Sequence, residues 1–506
     1  MAQQRVPFLS SRSLSLSLAV LGTTLIICFV LGPGQAFLIS LNPTIGLVGV
    51  VAIILIVLFF VRSELALPLY ILVAGPTLIL SASSSGILSR LYIGDLLFVL
   101  IVGIWLLREM SSERKSSLAR RETSILVPLI CLAIIGFMSI ISSHLSPDLH
   151  VTYAFVHSDV SLLLVNVVEM FLLVSLPLFI VIVPRMVRTL RDARWMIGAY
   201  LVIGLPYALG TIFAGPLHLY SQEVILGAQR PEVFGTTSSN LGILNVLFAC
   251  LAFGQMLYAK KEATRLGLGL LTCIYAGGVV LAFGRESWIG LLIAAWLILW
   301  LRFKSPLALL LPLIILPPLL LFFPDIINFF DPTKVYGADR INIWQDAIAI
   351  WQHSPYLGVG AGNFQFFDLT YGTEVAGVAH NQFLEVLAEM GVQGLACLLL
   401  AIIMIGRVTF KRFNSAISDP GKAVALAYLG YFAALLFATF FTDSFVPSTA
   451  AAGGTGPFIL MSYLWIFLGL VLSIPNWDRE AAMSNTPVKI AEHSEQSIKQ
   501  QKGALR

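Results

Sequence analysis

Long apolar stretches separated by short polar breaks run along most of this chain. The stretches are about 17–25 residues long, which is the length that an α-helix needs to cross the hydrocarbon core of a bilayer. The alternating ten-residue segments of a transmembrane β-barrel do not occur. The pattern therefore predicts an all-α polytopic membrane protein with about 12–14 transmembrane helices. We place the predicted spans at 14–31, 43–62, 65–82, 94–108, 125–142, 161–183, 196–214, 238–258, 267–283, 288–301, 306–323, 382–405, 424–441 and 457–473.

The composition agrees with this pattern. Of the 506 residues, 58% are hydrophobic and 11% are charged, whereas a soluble domain carries about 25% charged residues. We therefore expect the lipid bilayer to surround the chain. Neither an ATP-binding P-loop nor the ligand spacing of a zinc site occurs in the sequence. We expect no cofactor, no metal site and no nucleic-acid partner.

The spacing of the apolar stretches divides the chain into four regions. Residues 1–323 are predicted to hold transmembrane helices with short loops, and residues 382–476 the C-terminal transmembrane helices. Between them, residues 324–381 form one large loop, and a loop of this length is typically functional. Residues 477–506 are polar and charged, so we expect a disordered cytoplasmic tail.

Positive charge predicts the orientation of the spans. With the N-terminus inside, every cluster of Lys and Arg falls in a cytoplasmic loop, as the positive-inside rule requires. The large loop is then extracytoplasmic, and only five of the 31 Lys and Arg residues fall on its side of the membrane: Arg90, Arg230, Arg285, Lys334 and Arg340. Topology disfavours such charges, so each is a candidate for a specific task. A snorkelling surface cation is the alternative, and we favour it for Arg90 and Lys334.

The large loop contains a predicted helix that ends before Pro355. Asp339 is expected to cap its start. Arg340, Trp344 and Trp351 lie along one stripe of this helix. The stripe either rests on lipid headgroups through its tryptophans or directs Arg340 toward the membrane surface, and the two interpretations are compatible.

A glycine-rich turn, YLGVGAGNF, follows Pro355. Its glycines allow either a tight structural turn, which we favour, or a backbone that presents its N–H groups. The spacing is not that of a dinucleotide-binding loop, because the turn follows a helix and lacks G-x-G-x-x-G.

His380 and Asn381 stand where the large loop meets the next predicted span. Asn381 is expected to cap that span. Glu385 and Glu389 follow on the same helical face, and carboxylates within a membrane usually face a partner or a cavity. His380 is therefore either a satisfied histidine at the membrane interface or a catalytic group.

Two further polar segments fall on the same predicted side. The segment GRESWIG places Arg285 at the tight turn between two spans. The alternative to a functional arginine is that this segment only forms the turn of a helical hairpin. The segment AQRPEVFGTTSSNLG places Arg230 in a loop before a span, with Asn240 as its expected cap.

These motifs resemble the O-antigen ligase and O-antigen polymerase superfamily of bacterial surface-polysaccharide enzymes. The resemblance rests on the order and spacing of several pieces within residues 225–395, which are Arg230 through Asn240, GRESWIG, Arg340 with Trp344, PYLGVGAGNF, and His380-Asn381 followed by Glu389 and Gly391.

The resemblance implies a GT-C-like glycosyltransferase in the bacterial cytoplasmic (inner) membrane, with its active site on the extracytoplasmic, periplasmic side. Such enzymes transfer a glycan from an undecaprenyl-diphosphate carrier to an acceptor hydroxyl without a metal. By this resemblance the catalytic base is His380, the diphosphate-binding residues are Arg285, Arg340 and Arg230, and the supporting residues are Asn381, Glu389 and Trp344.

The chemistry of these side chains agrees with that reaction. A leaving lipid diphosphate develops negative charge, and the planar guanidinium of arginine binds phosphate through two hydrogen bonds. The acceptor hydroxyl must lose a proton, and histidine has an ordinary pKa near 6.5, which suits a general base.

The acceptor remains open at this point. A polymerase joins one lipid-linked repeat to another, and this is the interpretation we favour. The alternatives are a ligase that transfers the glycan to lipid A–core and an oligosaccharyltransferase that transfers it to protein. A transporter or flippase of lipid-linked glycans belongs to a different class. Asn166 and Glu169 would give it a polar step within a span, but the spans hold few carboxylates for a proton relay.

Overall fold

A computed structural model describes residues 63–76, 93–111, 120–151, 162–225, 228–305, 337–372, 377–446 and 456–485. Within these ranges nine helices are long and apolar enough to cross a membrane. This confirms the expected all-α polytopic membrane fold. The predicted spans 14–31, 43–62 and 306–323 lie outside the described residues, as do Arg90 and Lys334.

Helices account for most of the described residues, because a peptide group in hydrocarbon must find its hydrogen-bond partner within the protein. A short 3₁₀ turn, Ser63–Leu65, precedes the first of them. In chain order the elements are α1 (Ala66–Val73), α2 (Ile93–Ser111), α3 (Arg120–Leu145), α4 (Leu162–Met186), α5 (Leu190–Ile212), α6 (Ala214–Leu217), β1 (Tyr220–Ile225), β2 (Ala228–Pro231), α7 (Ser238–Tyr258), α8 (Glu262–Leu281), α9 (Arg285–Phe303), α10 (Gly337–His353), α11 (Phe364–Tyr371), α12 (Gln382–Ser415), α13 (Asp419–Ala438) and α14 (Gly456–Asn485).

The core of the bundle forms around α14, which is buried along almost all of residues 458–478. It packs against α4, where a Cβ atom added to Gly469 would lie 2.6 Å from Cβ of Val183. Helix α13 approaches α7 in the same way, since a Cβ atom on Gly254 would lie 2.7 Å from the carbonyl oxygen of Ala423. Small residues thus let neighbouring backbones come close, as is usual between membrane helices.

The loops between helices gather at two opposite ends of the bundle. At one end Lys260, after α7, forms an ion pair of 3.0 Å with Asp419 at the start of α13. At the same end the Asn476 amide donates to the carbonyl of Pro184 in α4 over 2.8 Å. The other end carries the loops before α7, between α8 and α9, before α12 and after α13. The expected site residues all lie near these loops.

Two expected helix caps are wrong. Helix α10 begins at Gly337, so Asp339 lies in its first turn, whereas a cap needs a non-helical backbone. Helix α7 begins at Ser238 after an extended Thr237, so Asn240 lies inside the helix. The Asn240 amide donates back to the Thr237 hydroxyl over 3.4 Å.

The last described helix continues past residue 477, where the disordered tail was expected to begin. Helix α14 reaches Asn485. Trp477 is fully buried, and the carboxylate of Asp478 accepts hydrogen bonds from the backbone N–H groups of Ile417 (2.7 Å) and Ser418 (3.1 Å). Contacts with the turn between α12 and α13 therefore stabilise a segment whose composition alone indicated disorder.

A short antiparallel hairpin stands between α6 and α7, where only a loop was expected. Strands β1 and β2 pair with Tyr220 opposite Pro231 and Val224 opposite Gln229. Side chains alternate between the two faces of a strand. Gln229 and Pro231 therefore lie on one face of β2, and Arg230 lies on the other.

Candidate active site

Three arginines from separate segments meet at the second end of the bundle. Arg230 lies in β2, Arg285 opens α9 and Arg340 lies in α10. The charge of Arg285 interacts with both other arginines. Burial lowers the pKa of Arg340, with Arg230 lowering it further while Glu286 raises it. Arginine nevertheless stays protonated at any working pH. Like charges held together repel each other, so this arrangement favours an anionic ligand.

Two carboxylates offset part of this positive charge. Glu286 follows Arg285 and is buried, and its Oε1 accepts a hydrogen bond from the hydroxyl of Ser239 in the first turn of α7. Asp443, in the loop after α13, interacts with His380. Within this group of interacting residues the three arginines outnumber the two carboxylates, which favours a positive local potential.

His380 lies just before Asn381, the cap of α12, and interacts electrostatically with Arg340. Burial lowers its pKa below the ordinary 6.5, and the charge of Arg340 lowers it further, whereas Asp443 and Glu286 act to raise it. The imidazole is therefore neutral at pH 7 and can accept a proton. The backbone of His380 has a φ of 48°, in the left-handed region that histidine adopts more readily than most residues.

Asn381 caps α12, as the sequence predicts. Its side-chain oxygen accepts hydrogen bonds from the N–H groups of Phe383 (3.1 Å) and Leu384 (3.2 Å). The cap fixes where the helix begins, and His380 is the residue directly before it. Asn381 thereby helps to position the imidazole.

Gln382 ties the loop after α13 to the start of α12. Its side-chain oxygen accepts hydrogen bonds from the N–H groups of Phe445 (3.1 Å) and Val446 (2.8 Å). Its own backbone N–H donates to the carbonyl of Thr439 over 3.0 Å. These three bonds hold both ends of the loop that carries Asp443.

Phe441 connects the same loop to α10. Its ring centroid lies 5.9 Å from the guanidinium carbon of Arg340 and 6.4 Å from the ring centroid of Trp344. A cation over an aromatic ring contributes about 0.5–2 kcal/mol. The sequence did not identify Phe441 or Asp443 as site residues. The only available signal was an acidic residue in a turn on the predicted outer side.

Helix α10 is held by protein contacts along its buried face. Ile343, Ala347 and Ile350 are buried there, where the helix packs on α12 and α11. The indole N–H of Trp351 donates to the carbonyl of Pro355 over 3.1 Å and so closes the end of its own helix. Packing on protein therefore positions Arg340, and the expected resting of the tryptophans on headgroups is not needed for it.

Helix α12 is interrupted at Gly391, two residues after the buried Glu389. Gly391 has a φ of 68° and a ψ of −171°, which no helix contains. The next N–H group, from Val392, donates to the carbonyl of Pro355 over 3.0 Å instead of to its own helix. An interruption of this kind leaves carbonyl groups of the preceding turn without helical partners.

The glycine-rich turn supplies those partners. The N–H groups of Val359 and Gly360 donate to the carbonyls of Ala388 (2.9 Å) and Glu389 (3.0 Å). Gly358, with a φ of 72°, lets the turn approach the helix backbone. The interpretation of this segment as a tight structural turn is confirmed, and its role is to fill the break in α12.

Glu389 supports the same turn through its side chain. Its carboxylate is buried and accepts hydrogen bonds from the N–H groups of Phe364, at 3.1 Å, and of Gly362. These N–H groups stand at the start of α11, where they have no partner within the helix. Glu389 thus links the start of α11 to α12.

Helix α4 holds the turn from the opposite side. The amide of Asn166 donates to the carbonyl of Ala361 and to the side-chain oxygen of Asn363, each over 2.8 Å. A Cβ atom on Gly362 would lie 3.4 Å from Cβ of Glu169. Asn166 and Glu169 therefore lie against the glycine-rich turn, where they contribute to docking it.

The converging groups define the chemistry that this end of the bundle can perform. The described part of the chain contains no group of three or more His, Cys, Asp and Glu side chains placed to hold a metal ion. The groups that do meet are three arginines and a neutral histidine. Arginine binds phosphate oxygens in pairs, and a neutral imidazole takes a proton. The arrangement can therefore hold an anion next to a base.

Comparison with known proteins agrees with this description. Residues 270–399 match the family model described as O-antigen ligase, which confirms the expected resemblance. The matched segment contains Arg285, Arg340 and His380, while Arg230 lies before it. No curated protein matches the chain. The match supports a membrane protein of a surface-polysaccharide enzyme family.

Proposed function

We propose that this chain, with its O-antigen-ligase segment, is a GT-C-like membrane glycosyltransferase. It transfers a glycan from undecaprenyl diphosphate to an acceptor hydroxyl, on the extracytoplasmic face of the bacterial cytoplasmic membrane. The observation that carries the proposal is the electrostatic interaction among Arg230, Arg285 and Arg340, together with that between Arg340 and His380.

In this proposal the arginines bind the diphosphate of the donor. The bond between the anomeric carbon and the phosphate oxygen breaks, and its electron pair leaves with the lipid diphosphate. Guanidinium groups stabilise the charge that develops there, and preorganised charges of this kind are often the largest contribution to catalysis. Glu286 and Phe441 hold Arg285 and Arg340 in place through charge and ring contact.

His380 is the proposed general base. The acceptor oxygen forms the new bond to the anomeric carbon, and its proton passes to the imidazole. A base positioned in this way contributes about 10²–10⁴-fold to the rate. The lowered pKa of His380 keeps the imidazole free of a proton at neutral pH, so the base is ready when the acceptor arrives.

The acceptor that we propose first is a second lipid-linked repeat, which makes the protein an O-antigen or exopolysaccharide polymerase. The alternative is a ligase that transfers the glycan to lipid A–core, and the matched family is described as O-antigen ligase. Incubating the purified full-length protein with lipid-linked repeats alone distinguishes them. A ladder of products supports the polymerase. Product that forms only after lipid A–core or acceptor protein is added supports a ligase or a protein oligosaccharyltransferase.

The proposed base is tested with a matched pair of histidine variants. His380→Ala is expected to reduce transfer by about 10²–10⁴-fold while the protein still enters the membrane. His353→Ala is the control, because His353 is exposed at the far end of α10. Near-normal product from folded His380→Ala would contradict the assignment.

A transporter of lipid-linked glycans is the alternative from a different class. Its expected polar step, Asn166 with Glu169, lies against the glycine-rich turn, and the Asn166 amide bonds that turn directly. A flux assay in liposomes separates the two functions. Movement of the lipid-linked glycan without any new glycosidic bond would favour the transporter.

A further inference from the structure

A cavity of about 530 Å³ lies beside the arginine cluster, at the same end of the bundle. It opens between the end of α5, the β1–β2 hairpin and the tip of the α8–α9 hairpin. Its walls include Thr211, Gly215, Tyr220, Gln229, Pro231 and Phe283. This volume falls within the range of about 300–1,000 Å³ that is typical of small-molecule sites.

The β1–β2 hairpin separates the cavity from the charged site. Gln229 and Pro231 line the cavity, and Arg230 between them interacts with the other arginines. This is the alternation that a strand imposes on successive side chains. The α8–α9 turn shows the same division, since Phe283 lines the cavity and Arg285 belongs to the charged site. The β1–β2 hairpin and the α8–α9 turn therefore each contribute residues to both the cavity and the charged site.

The walls of the cavity are neutral and mixed in polarity. Among its lining residues none carries a formal charge. Tyr220 and Phe283 offer aromatic faces, and Gln229 offers an amide at an exposed position. The apolar C–H face of a sugar ring packs on aromatic rings, and its hydroxyls pair with amides and hydroxyls. An isoprenoid chain would offer no hydrogen-bond partner to the polar groups of this lining.

We propose that this cavity binds neutral sugar rings of the substrate glycan, beyond the sugar that reacts. The inference rests on the proposed function, because the charged site beside the cavity would hold the diphosphate and the reacting sugar. The rings belong either to the donor or to the acceptor glycan, since both carry the same chemistry. The β1–β2 hairpin then sets the distance between the glycosidic bond that forms at the charged site and the sugar rings that bind in the cavity.

The test compares two variants of the cavity with a control. Tyr220→Ala removes one aromatic wall, and Gln229→Trp fills the cavity from an exposed position. Phe213→Ala is the control, because Phe213 is half exposed on the same segment and does not line the cavity. The full-length protein is assayed with substrates that carry a complete oligosaccharide repeat and with substrates truncated to the single reacting sugar.

Both cavity variants are expected to raise KM for the complete repeat at least tenfold. KM for the truncated substrate is expected to stay unchanged. In Phe213→Ala, KM is expected to stay unchanged for both the complete and the truncated substrate. Truncating the donor and the acceptor separately shows which glycan occupies the cavity. Equal effects on complete and truncated substrates would overturn the proposal. An effect that follows the length of the isoprenoid chain would assign the cavity to lipid and overturn it as well.

A binding measurement keeps this test separate from the proposed reaction. Saturation-transfer NMR reports contact between the purified protein and neutral oligosaccharides released from the lipid-linked repeat. Binding that is lost in Tyr220→Ala and kept in Arg285→Gln supports the cavity, even if no transfer is observed with the wild-type protein. Binding that is unchanged in Tyr220→Ala and Gln229→Trp would contradict it, whatever the outcome of the transfer assay.

Discussion

Gly391 and Tyr356 approach so closely that a Cβ atom on the glycine would lie 2.1 Å from the tyrosine carbonyl oxygen. The contact joins the break in α12 to the turn after α10. Gly391 also has a φ of 68° and a ψ of −171°, a combination that is almost confined to glycine. This contact therefore couples α12, which follows His380 in the chain, to α10, which carries Arg340.

Gly391→Ala is therefore expected to destabilise the protein strongly. The backbone conformation alone costs about 1–3 kcal/mol with a side chain, and the new methyl group also collides with backbone atoms that cannot swing away. Gly406→Ala in the same helix is the control, because the nearest atom to its added Cβ is 3.6 Å away, at Phe432. Thermal unfolding of both variants in detergent micelles measures the difference. Equal unfolding temperatures would show that the break in α12 is not required.

The pH dependence of transfer is expected to report the lowered pKa of His380. Only the neutral imidazole acts as a base, so kcat/KM should rise with pH and level off above the pKa of the free enzyme. Because burial and Arg340 lower that pKa, the midpoint of the rise should fall below 6.5. A midpoint above 6.5 in the wild-type protein would contradict the described surroundings of His380.

Two substitutions are expected to move this midpoint in opposite directions. Arg340→Gln removes a positive charge that disfavours the imidazolium, so the midpoint should move to higher pH. Asp443→Asn removes a negative charge that favours the imidazolium, so the midpoint should move to lower pH. Arg302→Gln is the control, because Arg302 stacks on Tyr258 at the other end of the bundle. Shifts of the same sign in both site variants would rule out this electrostatic arrangement.

Gln382→Ala is expected to loosen the loop that carries Phe441 and Asp443. The substitution leaves the N–H groups of Phe445 and Val446 without their acceptor, and each buried orphan costs about 1–3 kcal/mol. Both stability and transfer should fall. Gln352→Ala, at an exposed position of α10, should change neither. Full activity of Gln382→Ala would show that this loop does not need its tie to α12.

Two substitutions at Glu389 distinguish a structural role of its side chain from a role in the reaction. Glu389→Gln keeps an oxygen that can accept the hydrogen bond from Phe364, so the fold and most of the activity should survive. Glu389→Ala removes every acceptor and should lower the free energy of unfolding by about 1–3 kcal/mol. A Glu389→Gln protein that folds normally yet is as inactive as His380→Ala would instead place the carboxylate in the reaction.

Arg285→Lys tests whether geometry as well as charge is required at the proposed diphosphate site. Lysine keeps the positive charge but cannot form the paired hydrogen bonds of a guanidinium. Losing one hydrogen bond to a charged group costs about 1.5–3 kcal/mol, which corresponds to a fall in kcat/KM of about 10–150-fold. Unchanged kinetics in Arg285→Lys would mean that Arg285 acts only through its charge.

Features that depend on local chemistry could be predicted from the order of the amino acids. Runs of apolar residues predict membrane helices, because their length must match the bilayer. Asn381 was recognisable as a cap from its place before a span, and the glycine spacing indicated a tight turn. Arg230, Arg285 and Arg340 could be selected singly, because positive charge is rare on the predicted outer side.

Which of these residues become neighbours depends on the packing of the helices. A linear pattern predicts which end of a span a loop joins, but the loops that become neighbours depend on how the helices pack. The presence of Asp443 and Phe441 beside His380 and Arg340 is a result of that packing. The starts of α10 and α7 and the end of α14 also differ from the sequence-based expectation. Whether a helix begins or continues depends on partners for its backbone and side chains, and for α14 these lie in a distant turn.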